Sequence, residues 1–194
     1  MGTEAPSVDI EAVDLTDDRY TVEQNLVRNK YRAYDADGNV VLQGKQKLFK
    51  MKEEFPFANA DGEDAFVVKA GGIIDVAGNY LLTDARTGED LVVLDNDFSI
   101  FKDTWRIRDA ASEATIARID SRGAAITLAR NLIPFGEFIP HKYEITAADG
   151  GHVGTIDGQF AIKDRYEIEI HDAGDVPKEA VVASAMVIDA IQGN

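Results

Sequence analysis

The chain has 194 residues, no cysteine and a formal net charge of −15, with 35 acidic residues against 20 basic ones and an apolar share of 45%. That length and apolar share suit one globular domain with a real core and exclude wholesale disorder. The lack of cysteine excludes disulfides, thiolate nucleophiles, iron–sulfur clusters, sulfur-ligated zinc and palmitoylation, and the acidity sets the surface as a whole against nucleic acid and anionic membranes at long range.

Residues 1–18 carry Glu4, Asp9, Glu11, Asp14, Asp17 and Asp18 and no basic side chain. They lack the apolar stretch of a secretory signal, and Pro6 stands where a myristoylation motif needs Ser or Thr. The stretch reads as an acidic flexible tail ahead of a single domain over 19–194, in a cytoplasmic protein. A carboxylate coat this dense also suits a halophile, where salt screens the self-repulsion.

From 19 to 172 the sequence runs in short apolar alternations broken by turn residues. Tyr31-Arg32-Ala33-Tyr34 and Asn39-Val40-Val41-Leu42 flank Asp37-Gly38, a strong hairpin signal that predicts a two-residue turn with positive φ at both positions. Asp35-Ala36-Asp37-Gly38-Asn39 opens like a calcium loop, but Val40 and Gln46 occupy the positions that need Gly and Glu, so the hairpin reading holds. Further turns are expected at Thr87-Gly88, Asp149-Gly150 and Asp157-Gly158. Gly150, Gly151 and Gly154 are all expected to serve one turn. A loose unit of strand, turn and strand restarts at Tyr31, Leu81, Trp105 and Tyr143. Its uneven spacing fits a meander or barrel rather than a solenoid.

Residues 128–140 break the pattern, with Pro134, Pro140 and Gly136 among Leu132, Ile133, Phe135, Phe138 and Ile139. Proline excludes central strand pairing there. The segment is either an apolar loop folded over a barrel end or an exposed patch for a partner or membrane.

The final segment changes period. Asp175 is a candidate N-cap near Pro177, Glu179 suits the first turn, and Gly193 is a stop. Between them Ala180, Val181, Val182, Ala183, Ala185, Met186, Val187, Ile188, Ala190 and Ile191 surround the axis of a helix over about 177–191, too short to span a bilayer, which takes about 20 apolar residues. A helix apolar on every side must be buried on every side. The expected fold is mainly β, a closed antiparallel barrel with this helix filling its lumen, which removes open strand edges.

This order of features resembles the LURP-one-related family, relatives of the Tubby C-terminal domain and the phospholipid scramblases. The resemblance is carried by the strands Tyr20-Thr21-Val22-Glu23-Gln24 and 30–47, the turn Tyr34-Asp35-Ala36-Asp37-Gly38, the repeated hairpins and the apolar helix 179–191. It spans 19–194. It implies a barrel of about twelve strands around a central hydrophobic helix, no enzymatic activity and no cofactor. Tubby relatives bind phosphoinositide headgroups through basic residues on neighbouring strands. Scramblase relatives add acylated cysteines, which this chain lacks, and a calcium segment, for which Asp172-Ala173-Gly174-Asp175 is too sparse.

No catalytic or metal signature stands beside this. His141, His152 and His171 lack metal-ligand spacing, no nucleophile elbow or phosphate loop occurs, and the carboxylate pairs Asp95 with Asp97 and Glu167 with Glu169 suit a solvated strand face. A hydrolase using them is the remotest reading. One stretch opposes the global charge. Residues 28–52 hold seven basic side chains against two acidic ones, a local +5 that leaves −20 for the remainder. The Asp37-Gly38 turn would set Lys30 opposite Lys45, Arg28 opposite Lys47 and Arg32 opposite Gln43. Such facing cations call either for an acidic neighbour, with Glu23, Glu53 and Glu54 close in sequence, or for an anionic ligand. The candidate site is therefore Arg28, Lys30, Arg32, Lys45 and Lys47, its ligand an anionic headgroup or acidic partner, with protein interaction through 128–140 as the alternative.

Overall fold

A computed structural model describes residues 10, 12–25, 30–45, 54–70, 79–98, 103–121, 142–159 and 165–192. They form twelve antiparallel strands and one helix. The strands are β1 (Arg19–Asn25), β2 (Lys30–Tyr34), β3 (Val40–Lys45), β4 (Glu54–Asn59), β5 (Asp64–Ala70), β6 (Asn79–Asp84), β7 (Asp90–Phe98), β8 (Asp103–Asp109), β9 (Thr115–Ser121), β10 (Lys142–Ala147), β11 (His152–Gln159) and β12 (Arg165–Ile170). Each pairs with its neighbour in sequence, and β1 also pairs with β12, so the sheet closes into an up-and-down barrel. Among the described residues, closure leaves no edge strand to recruit another chain.

The helix α1 (Lys178–Gln192) begins as the Pro177 carbonyl accepts the Val181 amide at 3.2 Å. Ala180 to Ala183, Ala185 and Met186 to Ile188 are all 2% exposed or less. They share one apolar cluster with inward residues from all twelve strands, among them Val22, Ala33, Leu42, Phe66, Leu94, Ile107, Ile145 and Ile168. Ser184 alone is polar on this stretch, and its hydroxyl donates to the Ala180 carbonyl at 2.5 Å, which satisfies it within the helix. The lumen is filled by side chains, and any ligand is left the outer wall or the two ends.

Five hairpin turns lie at one barrel end. In three, the same Ala-Asp-Gly triplet makes a three-residue loop. At the first, the Gly38 amide donates to the Asp35 carbonyl at 3.1 Å and the Asp35 amide to the Asn39 carbonyl at 3.0 Å. Gly38 has φ +85°, while Asp37 is not left-handed. The expected two-residue turn is therefore one residue longer. A bulge between Ala33 and Tyr34 takes up the extra residue, and the predicted register of Lys30 with Lys45 and Arg32 with Gln43 is restored. The same bonds recur at Asn59 with Gly62 and Glu63 and at Ala147 with Gly150 and Gly151.

Two expectations about turns fail. Asp157-Gly158 is no turn but part of β11, where Gly158 pairs with Tyr166, because β11 continues its ladder with β12. Gly154 serves no turn either. It also lies in β11, and a Cβ there would sit 2.0 Å from the Glu169 carbonyl oxygen, so glycine is required by close backbone packing.

The described residues before β1, 10 and 12–18, also differ from a flexible tail. Ile10, Val13 and Leu15 are 1%, 8% and 5% exposed and join the core cluster. Glu179 accepts the Leu15 amide at 2.8 Å, and Lys178 Nζ donates to the Thr16 and Asp17 carbonyls and to Asp18 at 2.7–3.0 Å. Three spaced apolar side chains and two residues of the helix's first turn thus fasten an acidic segment that charge alone would release. Among the described residues no helix is long and apolar enough to cross a membrane.

Candidate functional site

The β2–β3 hairpin carries the described part of the basic stretch. Alternation buries Tyr31 and Ala33 at 3% and 0% exposure and leaves Arg32 exposed between them. Across β3, Lys30 faces Lys45 and Arg32 faces Gln43. Across β1, Lys30 faces Asn25 and Arg32 faces Glu23. Arg28 and Lys47 lie outside the described residues, as do Glu53 and the apolar segment 128–140. Of the acidic neighbours that could compensate the patch, Glu54 approaches Lys69 at 3.9 Å instead. Glu23 stands in register between Arg32 and Arg165, yet neither arginine forms an ion pair with it. The Lys30 and Lys45 positions therefore face a neutral residue and each other, beside an arginine with no ion-pair partner among the described residues.

Of the paired carboxylates, Asp95, Glu167 and Glu169 are engaged in ion pairs, and the Asp97 side chain lies outside the described residues. Asp95 accepts two hydrogen bonds from the Arg108 guanidinium, and that bonding raises the arginine further above its usual range. Glu169 pairs with Arg19 at 2.8 Å and Glu167 with Arg165 at 3.6 Å. The Asp35 carboxylate accepts from the Asn39 side chain at 2.9 Å and its amide at 2.7 Å, and the side-chain bond leads in holding it below the usual carboxylate range. His152 Nδ1 lies 3.2 Å from Glu144, and its ring stacks on His171 with centroids 5.4 Å apart, a pairing that sequence spacing could not show. Among the described residues no three His, Cys, Asp or Glu side chains could hold a metal ion.

Sequence reasoning missed a cavity of about 330 Å³ at the hairpin-turn end. It lies between the start of β9, the β10–β11 hairpin and the segment that leads into α1, with Asp149, His152, Asp172 and Asp175 at its walls. No local motif announces it, because its walls meet only when the barrel closes.

The family pattern for LURP-one-related proteins matches residues 40–189. No curated protein matches the chain. The fold is similar to the X-ray structure of an Arabidopsis thaliana protein, with a TM-score of 0.57 and 12% identity over 95% of this chain and 96% of that one.

Proposed function

The chain belongs to the LURP-one-related family, and on that footing we propose that it is a non-enzymatic, cytoplasmic binding domain which takes an anionic group of the phospholipid-headgroup kind on the outer face of β2 and β3. The observation that carries this reading is the register of Lys30 with Lys45, neutral Asn25 on the far side and exposed Arg32 alongside, which has no ion-pair partner among the described residues. Facing like charges cost stability, and a bound anion offsets that cost. Arg28, Lys30, Arg32, Lys45 and Lys47 are the assigned ligand residues. The filled lumen supports a site on the wall, and the engagement of Asp95, Glu167 and Glu169 in ion pairs supports binding over turnover.

The test is vesicle co-sedimentation with phosphatidylserine-containing and neutral vesicles, at physiological and high salt. The reading expects binding to the anionic vesicles that falls with salt. Equal binding to neutral vesicles would favour the apolar segment 128–140 as the contact instead, and no binding to either would reject a lipid ligand. The acidic coat further supports a working environment of concentrated salt. Loss of folded circular-dichroism signal on dialysis to low salt is then expected, and full stability there would reject it.

A further inference from the structure

A second pair of facing cations stands on the outer wall, at β8 and β9. Arg106 lies directly opposite Arg118. Their neighbours Trp105 and Ile119 also face each other and are buried in the core, so alternation turns both arginines outward. Arg118 is exposed and Arg106 half-buried. Directly opposite residues of an antiparallel pair have Cβ atoms about 4.5–5.5 Å apart, so the two guanidinium groups can reach one anion. On its other side Arg118 faces Thr146 of β10.

The nearby carboxylates do not compensate Arg118. Asp95 faces Arg106, and both its oxygens accept from Arg108. Asp120, on the same face of β9, accepts the Thr104 hydroxyl at 2.7 Å. Elsewhere on the wall Arg19 and Arg165 take Glu169 and Glu167. Arg118 alone of these has neither a hydrogen bond nor an ion pair among the described residues. In a chain with 35 acidic residues against 20 basic ones, an arginine set opposite an arginine costs stability. A bound anion offsets that cost, and the chemistry selects which anion. Guanidinium forks bind oxyanions through paired hydrogen bonds, and two of them match the three oxygens and the charge of about −1.5 to −2 on a phosphomonoester better than one carboxylate. The pair also has an acidic rim, with Asp95 facing Arg106 and Asp120 facing Glu144 one step along. That rim repels a plane of anionic headgroups, but it suits a single phosphate with cations on either side.

We propose that the outer face of β8 and β9 binds a phosphoserine or phosphothreonine within a basic segment of a partner polypeptide. Arg106 and Arg118 hold the phosphate oxygens, the Thr146 hydroxyl donates to the same group, and the flanking cations meet Asp120 and Glu144. Six strands separate this seam from the β2–β3 seam in either direction, β3 to β8 one way and β9 to β12 with β1 and β2 the other. The two faces therefore stand back to back, and a chain lying with β2 and β3 on a membrane turns the arginine pair toward solution. The inference is independent of the headgroup reading, which vesicle binding tests separately.

The experiment is a titration of the ¹⁵N-labelled full chain with a Lys-Gly-phosphoserine-Gly-Lys peptide, blocked at both ends, at physiological ionic strength and followed by amide chemical shifts. The largest shifts are expected at Arg106, Arg118 and Thr146, and their absence at millimolar peptide would overturn the proposal. The serine peptide without phosphate, and inorganic phosphate alone, are each expected to bind at least tenfold more weakly. Equal binding of the first would show attraction of any basic peptide to an acidic protein, and equal binding of the second would make the ligand a free anion; either overturns the proposal. R118Q is expected to raise the Kd at least tenfold, with its fold checked by circular dichroism. K69Q removes the same charge from β5 and is expected to change the Kd less than twofold. Equal losses from the two variants would overturn the assignment to this face. Vesicle binding lost in R118Q but kept in K30E/K45E would give the arginines to a membrane and overturn it too.

Discussion

Lys30 stands directly opposite Lys45 across the β2–β3 ladder, and on its other side Lys30 faces neutral Asn25. Two cations in facing positions of an antiparallel pair repel by a fraction of a kcal/mol. Lys45→Thr removes the repulsion and places a β-branched residue on a strand, so it should stabilise the domain by about 0.2–1 kcal/mol. The urea midpoint should rise with an unchanged m-value. A stability cost at this position would show that the pair is already compensated within the fold.

Gly154 is fixed by packing. The nearest contact for an added Cβ, 2.0 Å from the Glu169 carbonyl oxygen, is backbone that cannot swing aside. Gly154→Ala should cost about 1–3 kcal/mol, read as a lower thermal midpoint. Gly151→Ala, where the nearest atom is the Asp149 side chain at 3.1 Å, should cost less.

Glu113 has φ +61° in the β8–β9 turn, and no other described non-glycine residue has a positive φ. The left-handed conformation costs an L-residue about 1–2 kcal/mol, and glycine returns part of that gain as chain entropy. Glu113→Gly should therefore stabilise by about 0.5–1 kcal/mol net, while Glu113→Ala should not.

Much of the fold is legible in the sequence because periodicity reports burial. The all-round apolar run of α1 has no stable home except inside a barrel, and the alternation around Asp37-Gly38 fixes which residues of β2 and β3 face each other. The turn type is less legible. A two-residue loop and a three-residue loop with a bulge give the same register away from the turn, so Lys30 meets Lys45 by either route. Asp157-Gly158 carries a turn dipeptide, yet β11 runs through it to Gln159 because Glu167 and Tyr166 of β12 pair with both residues. The fastening of Ile10, Val13 and Leu15 depends on Lys178 and Glu179, more than 150 positions away. The cavity is illegible for the same reason, its walls coming from three separate segments.

Burial raises the phenols of Tyr20 and Tyr80 above the usual tyrosine range. With the folded pKa above the unfolded value near 10.0, the unfolded chain releases its protons first as pH rises. Stability from these residues is thus intact below about pH 10 and lost above it. The unfolding midpoint followed by tryptophan fluorescence should hold from pH 8 to about 9.5 and then fall. In Tyr20→Phe the fall should be shallower. An identical alkaline slope in the variant would assign the loss to other groups.

The central claim is that the outer face of β2 and β3 holds an anionic headgroup, and a charge reversal there tests it most directly. Each basic residue near an anionic surface contributes about 1 kcal/mol. The Kd of K30E/K45E for phosphatidylserine vesicles, measured against the unsubstituted chain at one ionic strength with both proteins shown folded by circular dichroism, should rise at least tenfold. An unchanged Kd would contradict the account and remove the ligand from this face.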